Sequence, residues 1–303
     1  MTRVVAIGVG LAIAVGTAHA RKEEPPPGHL AWVKDGAIWR AALADPERAD
    51  KLIDFRVSPA LVRALTAAAD GSALLVDLGG NAAWIDLAGG KASAPIFLPC
   101  GGGRLAPDGG RVLCAARRGT GAVAYRMRPR LGSAALEALS PGRTALTGAD
   151  HLISEKDGAL RDGDHVLAPH VPVDHLSVSP DGARAVGRYP DGDGDALFGF
   201  RLDGRAARRK LITGAPVAWS ADSVWLAVDG EDTACVLRAV GGEYKCWDHF
   251  RALAVSNDGA RALLGKPPES GSGTDVYLVP TTGVRPEKPK LLVAAALAAT
   301  LLP

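Results

Sequence analysis

The sequence predicts an all-β fold, a β-propeller of four-stranded antiparallel blades, with seven blades as the first count and six as the second. Three observations predict it. A short apolar segment, an Asp-centred tight turn and a second apolar segment recur six times along the 303 residues. The turn aspartates are Asp70, Asp108, Asp150, Asp181, Asp222 and Asp258, so the period is close to that of one blade. The composition is turn-rich, with 37 Gly and 21 Pro, as a fold of many short strands requires.

In chain order, Met1 to Ala20 has the form of an exported protein's address. Arg3 gives the positive start, Val4 to Val15 the apolar stretch, and Ala18-His19-Ala20 a small-x-small cleavage site. The apolar run is short for a membrane anchor, which needs roughly 20 residues. Cleavage would leave no transmembrane segment. Residues 21–28 read as a polar, Pro-rich leader, and 29–303 as a single propeller domain. The first part of that domain, residues 29–55, holds three candidate strands, Leu30–Lys34, Ile38–Ala42 and Lys51–Phe55, and lacks a first strand of its own. The C-terminal segment, residues 294–303, could supply it and close the ring. Its Ala-rich composition also allows a short helix on the rim.

Between these ends, the template unit is His175-Leu-Ser-Val-Ser-Pro-Asp181-Gly182 followed by Ala183 to Tyr189. Asp caps its own backbone and Gly accepts a positive φ, so Asp-Gly reverses the chain between two half-buried strands. A third strand then ends near Gly. Trp84, Phe198 and Tyr277 lie six residues before Gly90, Gly204 and Gly283, and Cys235 takes that place before Gly241. A fourth strand follows at Pro95–Leu98, Arg209–Thr213 and Lys290–Val293. One blade cannot bury both faces alone, so its neighbours must supply the core.

The run Ser179-Pro180-Asp181-Gly182 and its relatives resemble the W-S-P-D-G repeat of TolB-like and WD40-like β-propellers, over roughly residues 57–293. The likeness is to the TolB type. The Trp-Asp pair that ends the third strand of true WD40 repeats is absent there, since Trp247-Asp248 falls elsewhere, and Gly28-His29 occurs once. The resemblance implies periplasmic protein–protein contact. TolB carries an extra N-terminal domain that has no counterpart before residue 29, so the expectation is not a full TolB.

The four cysteines, Cys100, Cys114, Cys235 and Cys246, suit disulfides in an exported chain. Three pairings are open. The short-range pairs Cys100–Cys114 and Cys235–Cys246 each straddle a turn and could staple neighbouring strands, for about 3 kcal/mol each in the chain-entropy model. At Cys235 such a bond would replace the ring packing of the other units. No C-x2-C spacing supports zinc.

Charge and motifs narrow the function. Thirty-five Lys and Arg against 33 Asp and Glu give a net charge of +2, which argues against a nucleic-acid binder held by bulk positive charge. Asp191-Gly192-Asp193-Gly194-Asp195 starts like a calcium loop. Ala196 then stands where Gly is wanted and Leu202 where Glu is wanted, so a solvated loop is expected. His165, His170 and His175 recur every five residues without a supporting ligand set. There is no G-x-S-x-G, and Ser270-Gly271-Ser272-Gly273 reads as a hairpin tip. Gly101-Gly102-Gly103 lacks phosphate-loop spacing and points to a close backbone approach between blades or beside Cys100. Arg205, Arg208, Arg209 and Lys210 form a basic run expected to be a solvated loop.

No catalytic residue, cofactor or metal is therefore expected. The expectation is an exported, non-catalytic scaffold, periplasmic or secreted, and monomeric. It would bind an envelope protein or peptide on one rim, or a small ligand at the central funnel, and no nucleic acid. The rival is a propeller hydrolase or lyase, which needs two or more His, Asp or Glu converging at the axis. A funnel lined by Ala, Val and Ser would oppose it.

Overall fold

The structure, a computed structural model, describes residues 28–87, 90–118, 121–139, 143–147, 151–171, 173–188, 196–203, 209–239, 243–269, 272–282 and 287–303. The signal-like segment, the Asp150 turn, the Asp191–Asp195 loop, Gly204, Arg205, Arg208, Gly241, Ser270, Gly271 and Gly283 lie outside the described residues.

Five Asp turns share one local chemistry. The Oδ1 atoms of Asp70, Asp108, Asp181, Asp222 and Asp258 accept the backbone N–H two residues on, at 2.9–3.1 Å. The next residue is left-handed: φ is +71° at Gly71, +64° at Gly109, +71° at Gly182 and +68° at Gly259, and Ser223 takes φ +61° in the weaker copy. In three units a serine two residues before the aspartate completes the turn. Ser179, Ser220 and Ser256 donate to the carboxylate. Their Oγ atoms also accept the N–H five residues on, at 2.9–3.0 Å.

Each turn joins the first two strands of a four-stranded antiparallel sheet, and seven such sheets make the seven-bladed propeller. The first strands of blades 2 to 7 are Ala64–Ala67, Gly101–Leu105, Thr144–Leu146, Asp174–Val178, Ala215–Trp219 and Arg251–Val255. Blade 1 is built from both ends of the described chain. Ala298–Leu302 pairs antiparallel with His29–Lys34, in register from His29 opposite Leu302 to Val33 opposite Ala298. Ala37–Ala42 and Asp45–Asp54 follow outward. The segment 298–302 is thus a strand and not a rim helix.

The core is seven separate layers, one per interface between blades. Ala31, Leu65 and Leu74 lie in the layer between blades 1 and 2, and Leu30, Leu263 and Leu301 in that between blades 7 and 1. Trp84, Cys100 and Val112 serve blades 2 and 3, and Leu113 and Leu146 blades 3 and 4. Leu160 and Phe198 fill blades 4 and 5, Val186 and Leu226 blades 5 and 6, and Val236 and Leu264 blades 6 and 7. Burying each large side chain contributes about 1.5–3 kcal/mol, so every blade depends on both neighbours.

The residues six places before Gly90, Gly204 and Gly283 do not all face one way. Phe198 packs toward blade 4 and Tyr277 toward blade 6, each against the preceding blade. Trp84 instead packs toward blade 3, where its indole N–H donates to Gly109 O at 3.0 Å. One residue of register on a strand sends a side chain to the opposite face, and that is the difference here.

The cysteines form two pairs, Cys100–Cys114 with Cα atoms 5.5 Å apart and Cys235–Cys246 at 4.1 Å. Cys235 and Cys246 stand opposite one another on the third and outer strands of blade 6. Cys100 and Cys114 join the start of blade 3 to its second strand and are buried against Trp84. The expected close approach at the glycine run is real. A Cβ on Gly101 would overlap the carbonyl of Gly79 in blade 2.

Candidate functional site: the central funnel

The inner strands converge on one cavity. Its lining takes residues from all seven blades, among them Thr66, Ala67, Arg104, Leu146, Ser177, Val178, Val217, Ala218, Ala254, Val255, Thr300 and Leu301. The repeat explains the selection. The residue four places before each turn aspartate is Thr66, Arg104, Leu146, Ser177, Ala218 or Ala254, and every one of these lies on the lining. The cavity measures about 190 Å³.

The walls are mostly small and apolar, with hydroxyls from Thr66, Ser177 and Thr300. The Trp219 indole N–H donates to Ser177 Oγ at 3.0 Å, tying blades 5 and 6 at the lumen. Among the described residues, the lining holds one ionisable side chain, Arg104. Arg104 rises from blade 3, passes the three-residue inner strand of blade 4 and donates from an Nη atom to Leu176 O in blade 5. Its side chain is exposed on the funnel wall, with inner strands of the ring around it. The surrounding protein lowers the guanidinium pKa below the ordinary arginine value through desolvation. An arginine remains charged under any such shift near neutrality.

Around one mouth of the funnel the Asp turns hold one another. Asp70 N–H donates to Pro107 O at 3.3 Å, and Ser72 Oγ to Asp108 O at 3.0 Å. Asp181 N–H donates to Ser223 Oγ at 3.0 Å, and Arg184 to Ser223 O at 2.8 Å. Asp222 N–H donates to Asn257 O at 3.1 Å. Blade 1 has the chain ends in place of a turn, and there Asn257 Nδ2 reaches past it to Ala69 O at 2.9 Å. The turn carboxylates are therefore committed to backbone and do not line the cavity.

The other sequence candidates disperse. His165 is exposed on the outer strand of blade 4, His170 is exposed at φ +56°, and His175 sits at the start of blade 5 beside Arg188, whose Nε donates to its ring at 3.1 Å. No group of three His, Cys, Asp or Glu side chains able to hold a metal occurs among the described residues. Arg209 and Lys210 begin the outer strand of blade 5. Among the described residues, grooves also lie outside the funnel. One of about 520 Å³ beside blade 2 includes the exposed Leu61 and Phe97, and one of about 400 Å³ includes Arg184, Arg201, Asp203 and Arg209. Sequence reasoning passed over Arg104. The signal was in the repeat, because aligning the six units on their aspartates leaves one charge in the column four residues earlier.

No protein-family model matches the chain, and neither does any curated protein. Solved structures do. TolB from Acinetobacter baumannii is similar over 91% of this chain and 67% of its own, at 13% identity and a TM-score of 0.54. A functionally unknown protein from Desulfotomaculum acetoxidans covers 91% of this chain and 99% of its own, at 12% identity and a TM-score of 0.58. A eukaryotic initiation factor covers 92% and 98%, at 10% identity and a TM-score of 0.50. The shared property is the propeller. Proteins of unrelated function use it, so it carries no role by itself. No helix among the described residues is long and apolar enough to cross a membrane.

Proposed function

We propose that this chain is an exported, non-catalytic β-propeller that serves as a binding scaffold in the cell envelope, periplasmic or secreted. It takes an envelope protein or peptide on a rim, or a small ligand in the funnel. The observation that carries this reading is the funnel lining of small aliphatic side chains, hydroxyls and one guanidinium. Such a wall offers contact area and one charge. A hydrolase or lyase in the funnel would need an acid and a base within reach of one substrate, and the described lining residues include neither carboxylate nor imidazole. Export is supported by the address-like first twenty residues and by two cysteine pairs at bonding distance, which suit an oxidising compartment.

The test is a crosslinking pull-down from the native envelope with the oxidised protein. A reproducible partner, lost when the chain is unfolded, supports the scaffold. Turnover of a substrate by the pure protein would overturn the non-catalytic reading.

A further inference from the structure

We propose that the central cavity binds an aliphatic monocarboxylate, its carboxylate forked onto Arg104 and its hydrocarbon part against the Ala, Val and Leu side chains of the inner strands. The proposal rests on the scaffold reading and names the ligand class of its funnel.

Arg104 is the charged member of a column that is otherwise Thr66, Leu146, Ser177, Ala218 and Ala254. A guanidinium has five N–H donors and no acceptor. One of them is used on Leu176 O, and the others have no protein partner among the described residues. The charge stands on the wall of a cavity whose described lining residues include no carboxylate, an arrangement that leaves its remaining donors open to a bound anion. Guanidinium geometry matches a carboxylate in two parallel hydrogen bonds.

Charge selects among anions. One positive charge neutralises a monoanion. A phosphate dianion would leave a net negative charge in a cavity whose described lining offers one cation. Volume selects among acids. A cavity of about 190 Å³, well above the roughly 10–15 Å³ that one water needs, has room for a carboxylate and a short hydrocarbon chain. The same chemistry is presented by a free short-chain acid and by the C-terminus of a peptide entering through the mouth.

The test uses the full, oxidised protein with arginine Nε labelled by nitrogen-15, titrated with butyrate, with inorganic phosphate, and with the tripeptide Ala-Ala-Val in free-acid and amidated forms. The expected result is a saturable shift of the Arg104 Nε–H resonance with butyrate, at least tenfold weaker binding of phosphate, and at least tenfold weaker butyrate binding in Arg104→Met. Arg104→Lys, which keeps the charge but not the fork, should lie between. Competition by the free peptide alone, and not the amide, identifies a chain terminus as a source. Binding of butyrate without peptide competition identifies a small acid. No saturable shift in the wild type, phosphate as tight as butyrate, or unchanged butyrate binding in folded Arg104→Met would each overturn the proposal. Should Arg104→Met not fold, the wild-type resonance decides. Failure here is distinct from failure of the scaffold: an envelope partner captured equally well by wild type and Arg104→Met, with no carboxylate binding, removes this inference and leaves the scaffold.

Discussion

Gly259 and Gly158 are both left-handed, at φ +68° and +74°, and they separate two costs of adding a side chain. At Gly158 a Cβ would meet nothing within 4 Å, so only the backbone is strained. At Gly259 it would overlap the Trp225 indole of blade 6. Gly158→Ala should cost about 1–2 kcal/mol and Gly259→Ala about 2–5 kcal/mol, measured by urea unfolding. Equal losses would mean that Trp225 moves aside freely. The neighbouring aspartates couple stability to pH. Asp258 is held below the ordinary carboxylate pKa of 3.8, first by the Ser256 hydroxyl and against the pull of burial, with help from the Ala260 N–H. At Asp181 burial pulls upward most, but the Ser179 hydroxyl, the Ala183 N–H and Arg184 together prevail and lower it. A depressed folded pKa gives stability that is present above the unfolded value and lost as pH falls through the folded one. Wild-type melting temperature should therefore drop below about pH 4. Asp181→Asn with Asp258→Asn should be less stable than wild type at pH 7 and show a shallower drop between pH 5 and pH 2. A parallel curve would assign the acid sensitivity to other carboxylates.

Strands and turns were legible because their chemistry is local. The Asp cap and the left-handed residue after it recur at fixed offsets, whatever lies around them. The facing of a third strand is not local. The spacing from Trp84 to Gly90 equals that from Phe198 to Gly204, yet the two rings serve opposite neighbours. The apolar pattern predicts a strand over Lys51–Phe55, and the outer strand of blade 1 runs over Asp45–Asp54. Its first half, Asp45-Pro46-Glu47-Arg48, has no apolar alternation. It is an edge, where a Pro and charges are tolerated and discourage pairing with another chain. The disulfides also divide by element. Each closes a short loop and should contribute about 2–4 kcal/mol. Cys100 and Cys114 are both buried in the layer between blades 2 and 3, whereas Cys246 is half-buried on an outer strand. Replacing Cys100 and Cys114 by Ala should therefore destabilise more than replacing Cys235 and Cys246, by the packing lost beside Trp84 as well as the cross-link. The Cys100–Cys114 loop is also slightly longer, 14 residues against 11, so chain entropy points the same way. Denaturant midpoints of the two double variants decide it, and a reversed order would mean that neither packing nor loop length sets the ranking here.

At the scale of the ring, the count of strands before residue 55 was the informative quantity, because three strands need a fourth and the remaining candidate is at the other end. The funnel was less legible. Alternation along a strand says that successive residues face opposite ways, but not which way leads to the axis. Only alignment of the units on Asp70, Asp108, Asp150, Asp181, Asp222 and Asp258 puts Arg104 in a column with Thr66 and Ser177. Closure itself is open to test. Ala298–Leu302 is buried along its whole length, and Leu301 and Leu302 feed the two layers on either side of blade 1. Losing that strand uncovers both layers, and two leucines alone account for about 3–6 kcal/mol, a large share of the 5–15 kcal/mol of a typical fold. Deleting residues 298–303 should therefore open the ring, raising the radius of gyration in small-angle scattering and broadening thermal unfolding. The paired substitutions Leu301→Ala and Leu302→Ala should lower stability by several kcal/mol without opening it. Leu131→Ala, at a side chain 71% exposed on blade 3, should change stability by less than about 0.5 kcal/mol. A truncated chain with the wild-type radius and a sharp transition would mean that three strands suffice for blade 1, and that the ring is held by the six complete blades and their linked turns.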